Sequence, residues 1–224
     1  MSTEKPIEYL NRIAESYSSL EWMRPVLQLI PFGVGSAVDS LLGNRAEILQ
    51  RDRIRALLDG VRRVLTEMDE EKVDKNFLST DDFYFLCRDI FKKVTEERSW
   101  KKIELFTNVF VRGILKTRMD LDLTSLYLEI LDELLDVELV LMGQIGHISI
   151  HEGIQFIPIQ KLLEMDIGLI STAANARFVD HLEQHQLIQL IEAYNSDLES
   201  DSYSLTSLGR EFTEVISTVH TSGA

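Results

Sequence analysis

Between Leu187 and Ile216, two short apolar runs flank a polar tip, and a helical pattern follows them. The run LIQLIEAYN is strand-like, SDLESDS is polar, and YSL is a second strand-like run that leads into TSLGREFTEVI. Apolar runs on either side of a polar turn predict an antiparallel ribbon. The apolar spacing of the last segment predicts a helix that closes the fold.

Two further helices are predicted ahead of this ribbon, near Pro158 to Met165 and from Thr172 to Gln186. They follow a connection, GQIGHISIHEGIQFIPIQ, whose glycines and β-branched residues predict a loop with a short strand. A further helix, almost all Leu, Ile, Val and acid, is predicted from Leu123 to Met142. Three helices, a two-stranded ribbon and a terminal helix come in the order of a winged helix.

The N-terminal part of the chain is predicted to be helical throughout. Apolar residues at helical spacing predict one helix from Pro6 to Ile30 and a second from Ser36 to Leu65. Pro31 should end the first helix, and Gly33 and Gly35 permit a tight reversal, which makes a helical hairpin. The fold class predicted is therefore mainly α: a helical N-terminal bundle, then a winged-helix-like C-terminal module with a small β-ribbon.

Two hydroxyl residues are predicted to start helices in the middle of the chain. Ser79 and Thr80 offer a capping hydroxyl just before Asp81 and Asp82, and acids in a first turn favour the positive end of a helix. Ser99 stands in the same way before an apolar helical pattern. The stretch TEMDEEKVDK is predicted to link this part to the hairpin.

Charge is distributed unevenly along the chain. Through Arg118 there are 20 Lys and Arg against 19 Asp and Glu, whereas from Met119 onward there are 3 against 18. This shift predicts two domains, residues 1–120 as the helical bundle and 121–224 as an acidic winged-helix-like domain. An anionic body repels nucleic-acid phosphates and favours basic protein surfaces. Acidity that only keeps the protein soluble is the competing interpretation.

Cysteine content and the N-terminus indicate the compartment. Cys87 is the only cysteine, so it has no internal disulfide partner, and it lies in the apolar run FYFLC, where a small buried thiol is expected. The segment MSTEKPIEYL has neither the basic start nor the continuous apolar core of a secretion signal. A reducing, cytoplasmic location is expected.

Two pairs of histidines raise the question of a metal. His181 and His185 are four positions apart, so a helix places both imidazoles on one face, where they could ligate one ion. A zincin requires a glutamate directly after the first histidine, and Leu182 stands there instead. His147 and His151 share the spacing, but a strand or loop would scatter them. No metal is therefore expected; surface or helix-end histidines are the default.

Enzymatic motifs are missing from the sequence. There is no GxSxG elbow, and no histidine neighbours Cys87 in the chain. The run IPFGVGSAVD has Gly33 and Gly35 but neither the third glycine of a dinucleotide-binding loop nor the GK[ST] of a phosphate loop. The sequence predicts a protein that is not an enzyme and binds no cofactor.

Membrane insertion is one alternative to an interaction role. The window Val26–Leu42 is strongly apolar, with Pro31, Phe32, Gly33 and Gly35 at its turn. It is too short and too interrupted to span a bilayer as one helix, but it could insert as an amphipathic hairpin in an oligomer. Burial in the core of the bundle is the competing interpretation.

DNA binding is the second alternative, because a winged helix places its third helix in the major groove. Here that helix, STAANARFVDHLEQHQ, offers Asn175 and Arg177 against Asp180 and Glu183, and the wing carries no base. Phosphate contacts supply most non-specific affinity, so this surface should be repelled by DNA. The arginines of the second helix interleave with acids, and ion pairing within that helix accounts for them.

Three segments of the chain resemble one known family. WKKIELFTNVFVRGIL, then DLDLTSLYLEILDEL, then YSLTSLGREFTEVI are similar to the abortive-infection alpha family of bacterial proteins, over roughly residues 80–220. The last segment matches the family's Leu-Thr-x-x-Gly-x-x-Phe ending at Leu205, Thr206, Gly209 and Phe212. The resemblance implies a role in phage defence with no catalytic residues to transfer. Core packing also accounts for Leu205 and Phe212, and close approach for Gly209.

The sequence therefore predicts a non-enzymatic interaction or scaffold protein, in the setting of bacterial phage defence. Asp197, Glu199 and Asp201 at the wing are the predicted contacts for a protein partner. Leucine-rich acidic helices and apolar hairpins often form dimer interfaces, so a homo-oligomer is also expected.

Overall fold

A computed structural model of the chain describes residues 43–67, 72–117, 119–165, 172–193 and 200–217. The chain divides into two compact units, Met1–Leu128 and Glu129–Ala224, which are described separately below. The predicted hairpin Val26–Leu42, with Pro31, Phe32, Gly33 and Gly35, lies outside the described residues. Within the described ranges, no helix combines the length and the apolar character that crossing a membrane requires.

Among the described residues of the N-terminal unit, three long helices pack together: α1 Gly43–Glu67, α2 Asp81–Glu96 and α3 Trp100–Ile114. Each has one apolar face, and these faces pack against each other. Burying a large apolar side chain stabilises the fold by about 1.5–3 kcal/mol, so this shared face holds the helices together. Its fully buried members include Leu57, Leu58, Phe83, Ile90, Phe106, Val109 and Phe110.

Both predicted helix starts are confirmed. The Thr80 hydroxyl oxygen accepts a hydrogen bond from the Phe83 amide at 3.2 Å, ahead of α2. The Ser99 hydroxyl oxygen accepts one from the Lys102 amide at 3.3 Å, ahead of α3. Each side chain satisfies an amide that has no partner inside the helix.

Cys87 is fully buried on α2, as predicted. Burial raises the pKa of its thiol far above the ordinary value, because a thiolate would lose its hydration there. The reactive form of cysteine is the thiolate, so this side chain behaves as a small apolar core group.

The prediction of one helix from Leu123 to Met142 is wrong. The structure has two helices, α4 Leu121–Glu133 and α5 Asp136–Gly146, and Leu135 between them has an extended backbone with ψ of 156°. The Glu138 carboxylate accepts a hydrogen bond from the Leu135 amide at 2.7 Å and so starts α5 afresh. No glycine or proline marks this break, and the boundary between the two units falls within α4.

The chain stays helical beyond Gly143, where a loop was predicted. Helix α5 runs to Gly146 and is followed directly by a π-helical turn, His147–His151. His147 and His151 therefore lie on a helical turn and not on a strand or loop. The His147 Nδ1 atom is 3.5 Å from a Glu152 carboxylate oxygen, and both side chains are exposed.

The rest of the C-terminal unit follows the predicted order. Its elements are β1 Ile157–Pro158, α6 Ile159–Leu163, α7 Thr172–Gln184, β2 Ile188–Ile191, β3 Ser202–Leu205 and α8 Ser207–Ser217. The strands form an antiparallel sheet in the order β1-β3-β2, with Ile188 opposite Leu205 and Ile157 opposite Tyr203. Strand β1 adds a third member to the predicted two-stranded ribbon. The fold class is confirmed: mainly helical, with a winged-helix-like C-terminal module.

The Leu-Thr-x-x-Gly-x-x-Phe segment has a structural role at the start of α8. The Thr206 hydroxyl donates to the Gln186 carbonyl at 2.5 Å and accepts from the Gly209 amide at 2.9 Å, which caps the helix. A Cβ atom at Gly209 would overlap the Leu187 carbonyl group, so only glycine permits this approach. Leu205 and Phe212 are buried, as predicted.

Candidate functional site

Glu138 is a carboxylate buried in the first turn of α5, with only 2% of its side chain exposed. One of its oxygens accepts the Leu135 amide at 2.7 Å, and the other lies 2.7 Å from the His181 Nδ1 atom. A buried carboxylate is tolerated only when such partners replace its lost water. Glu138 therefore joins the start of α5 to a histidine on α7.

Two histidines continue this contact toward the surface. His185 directly follows the last residue of α7, one helical turn beyond His181, and the two Nε2 atoms are 3.2 Å apart. The His185 Nε2 atom is also 3.4 Å from a carboxylate oxygen of Glu133, at the end of α4. His185 is 15% exposed, His181 35% and Glu133 64%, so the cluster runs from a buried acid to an accessible one.

The chemistry of the four groups sets where protons lie. A carboxylate only accepts hydrogen bonds, so the His181 Nδ1 atom that faces Glu138 carries the hydrogen. The neutral His181 ring then has its lone pair on Nε2, directed toward the His185 Nε2 atom. The contact between the rings is a hydrogen bond when His185 carries its hydrogen on Nε2. The two nitrogens can thus share a proton, or both turn their lone pairs to one electrophile.

Of the two predicted histidine pairs, the structure makes His181 and His185 one contact group, with their rings 4.7 Å apart. In the part of the chain that the structure describes, no group of three or more His, Cys, Asp and Glu side chains is arranged to hold a metal ion. Any ion at this pair would therefore need water or a moving side chain to complete its coordination.

The predicted interaction acids at the wing are placed only in part. Asp197 and Glu199 lie outside the described residues, whereas Asp201 is described and exposed, just before β3. One Asp201 carboxylate oxygen accepts a hydrogen bond from the Ala193 amide at 2.7 Å. Asp201 therefore holds the base of the ribbon together and also presents negative charge to solvent.

The exposed side of α7 is short of cations. Arg177 is exposed there, next to exposed Asp180 and Gln184. Asn175, weighed above as a base-reading residue, is instead buried, and its amide nitrogen donates to the carbonyls of Leu163 at 2.9 Å and Met165 at 3.2 Å. The donor of Asn175 is therefore committed to the end of α6, which agrees with the expectation that this helix does not read DNA.

Tyr203 on β3 lies close to the acids of α7. Burial, together with the negative charges of Glu183 and Asp180, raises the pKa of Tyr203 to about 12. Its hydroxyl group lies 3.4 Å from a Glu183 carboxylate oxygen. The phenol stays neutral at physiological pH and donates to an acid, so it leaves the negative charge of α7 in place.

Sequence reasoning missed Glu138 and Glu133, the two acids of the cluster. Both lie in the segment Leu123–Met142, which the sequence predicts as one continuous helix with many acidic residues. Glu138 follows Leu135 by three positions, which is the spacing of a capping glutamate, but that signal has meaning only once a helix is known to start at Asp136.

No family model, no curated protein and no solved structure matches this chain. The resemblance to the abortive-infection alpha family therefore stays a prediction. What the four clustered side chains and the acidic face of α7 can do follows from their geometry and charge.

Proposed function

We propose that this chain is a non-enzymatic interaction protein whose acidic C-terminal unit binds a basic surface on a partner protein. The observation that carries the proposal is that Asp180 on α7 and Glu192 and Asp201 at the ribbon are all exposed, whereas α7 exposes one basic residue, Arg177. Complementary charge across an interface speeds association and selects partners. A basic partner is the class that this surface favours.

The same surface argues against DNA as the ligand. A winged helix that reads DNA needs cations for the phosphates and free donors or acceptors on its third helix for the bases. Here the amide group of Asn175, on the third helix, already donates a hydrogen bond at the end of α6, and Asp180 on the same helix is exposed. From Met119 onward only 3 basic residues stand against 18 acidic ones, so the phosphate term is unfavourable.

The assignment as a non-enzyme is supported by the state of Cys87. Its thiol is buried and its pKa is raised, which is the opposite of an activated nucleophile. The biological setting that we propose is bacterial phage defence, on the resemblance carried by Leu205, Thr206, Gly209 and Phe212. Those four residues cap and pack α8, so we expect the partner to contact α7 and the ribbon instead.

The test is binding of the full-length chain to the purified products of neighbouring genes, measured at increasing salt. We expect one partner to bind with an affinity that falls as salt rises, since exposed charges are screened. The Asp180→Lys variant should weaken that binding about tenfold, which corresponds to about 1.4 kcal/mol. The control is Glu96→Lys, the same charge change on an exposed site of the N-terminal unit, and it should bind as the wild type does.

Two outcomes would contradict the proposal. One is a binding constant that Asp180→Lys leaves unchanged, because the acidic face would then be irrelevant. The other is retardation of DNA by the chain at low salt, where electrostatic binding is strongest; this result would favour a DNA-binding role. A plaque assay in a host that expresses the chain then tests the defence setting.

A further inference from the structure

The distance between two imidazole nitrogens at the end of α7 matches a metal chelate. Zinc-to-nitrogen bonds are about 2.0–2.1 Å long, and ligand angles of about 90–110° then separate two coordinating nitrogens by about 2.8–3.4 Å. The Nε2 atoms of His181 and His185 are 3.2 Å apart. An ion bound to both nitrogens would lie beside the line that joins them, so each ring has to turn to direct its lone pair at the ion.

Glu138 prepares His181 for this role. Histidine ligands commonly donate their second ring N–H to a carboxylate, which fixes the tautomer and the ring orientation and makes the other nitrogen more basic. The 2.7 Å contact from His181 Nδ1 to the buried Glu138 carboxylate has this geometry and leaves Nε2 as the free lone pair. The capping bond from the Leu135 amide holds the carboxylate itself in place.

A third ligand lies within reach. The Glu133 carboxylate is 3.4 Å from the His185 Nε2 atom and is 64% exposed, so its side chain can turn toward an ion without leaving a packed position. Because His181 and Glu133 are both partly exposed, an ion can enter from solvent. Water would complete a four-coordinate shell.

We propose that His181 and His185 bind a divalent transition-metal ion of the zinc class, with Glu133 as a third ligand and Glu138 orienting His181. Two imidazoles and one carboxylate suit Zn²⁺, Co²⁺, Ni²⁺ and Cu²⁺, whereas Mg²⁺ and Ca²⁺ prefer all-oxygen sites. The ion would tie the end of α4 to α7. This inference does not depend on the proposed protein partner.

The experiment is calorimetric titration of the metal-free full-length chain with Zn²⁺, together with the absorption spectrum of its Co²⁺ form. We expect one zinc ion to bind per chain and a visible Co²⁺ spectrum with imidazole ligation. His181→Gln and His185→Gln should each abolish this binding. Glu138→Gln, which loses only the orienting charge, should weaken it about 10–100-fold.

The matched control is His147→Gln, from the other pair of histidines four positions apart, which should bind zinc as the wild type does. Circular dichroism checks that each variant is folded. If a histidine variant does not fold, nitrogen-15 spectra of the wild-type histidines decide the matter instead. The Nε2 signals of His181 and His185 must then shift on zinc addition.

Three results would overturn the proposal. They are a dissociation constant for zinc weaker than about 1 mM, unchanged binding by a folded His181→Gln or His185→Gln variant, and competition by equimolar Mg²⁺, which would indicate attraction to acidic surface alone. Partner binding by the Asp180→Lys variant and its control tests a different surface. Failure of either proposal is therefore visible without the other.

Discussion

Glu97 in the N-terminal unit and Glu138 in the C-terminal unit are both buried carboxylates at the start of a helix. Glu97 accepts the amides of Arg98 and Ser99 at 2.6 and 2.7 Å, just ahead of α3. Glu138 accepts the Leu135 amide at 2.7 Å, just ahead of α5. Their side chains are 11% and 2% exposed, so each carboxylate needs a further partner to offset its lost hydration.

The two carboxylates differ in the kind of side chain with which each is paired. Glu97 is paired at 3.0 Å with the ammonium group of Lys102, a buried cation five positions further along the chain. Glu138 is paired with His181, which is 43 positions away and has a second nitrogen directed at His185. A carboxylate whose partner is a cation stabilises the fold, whereas one whose partner is an imidazole also prepares a ligand. The type of side chain paired with the acid therefore distinguishes a structural site from a candidate functional site.

The largest effect should come from Lys102→Met, which removes the cation and leaves the apolar stem. Breaking a buried ion pair strands a charge, and we expect the free energy of unfolding in urea to fall by about 3 kcal/mol. The control is Arg55→Met, which breaks the exposed pair with Asp59 on α1 and should cost less than about 0.5 kcal/mol. Equal losses in the two variants would mean that burial does not matter here.

Glu138→Ala should have the next largest effect. It leaves the Leu135 amide and the His181 Nδ1 hydrogen without their acceptor, at a cost of about 2 kcal/mol in urea unfolding. Glu129→Ala, at an exposed site on α4, is the control and should change stability by less than about 0.5 kcal/mol. A loss as small as that of the control would mean that the Glu138 carboxylate does not stabilise the start of α5.

Ser99→Ala tests how the two helix starts differ. Helix α3 is capped by the Ser99 side chain as well as by Glu97, so losing the hydroxyl should cost about 1 kcal/mol. The equivalent residue before α5 is Leu135, whose exposed side chain makes no capping bond. Leu135→Ala should therefore be nearly neutral in the same urea experiment. A large loss from Leu135→Ala would show that its side chain, and not Glu138, sets the start of α5.

Local patterns predicted most of the fold because most elements depend on neighbouring residues. The caps at Thr80 and Ser99, the ribbon and the terminal helix each follow from spacing and turn chemistry within a few positions. The break between α4 and α5 does not. It depends on Glu138 being held by both the Leu135 amide and His181, and the second partner is remote in sequence.

At the candidate site, only the proximity of the two histidines follows from the sequence. The four-residue spacing of His181 and His185 correctly placed both rings on one helical face, since that is a property of the helix alone. The packing of helices within the unit decides which acids contact these histidines. It also decides that Asn175 turns inward to the end of α6. Burial of a polar side chain is a tertiary property, and no window of sequence contains it.

The smallest effect should be the response of stability to acid, because opposing influences act on Glu97. Burial raises the pKa of this carboxyl, whereas hydrogen bonds from the Ser99 amide, the Lys102 ammonium group and the Arg98 amide, with the Lys102 charge, lower it by more. The net pKa therefore lies below its ordinary value of 4.5. A carboxyl with a lowered pKa in the folded state adds stability above the unfolded pKa and loses it as pH falls through the folded value.

In urea unfolding between about pH 6 and pH 3, the stability difference between the wild type and Glu97→Gln should therefore narrow as pH falls, since other carboxyls titrate alike in both. A difference that stays constant or widens would mean that the pKa of Glu97 is not lowered in the folded state. The Lys102 pair would then fail to offset burial, and the contrast with Glu138 would lose its electrostatic basis.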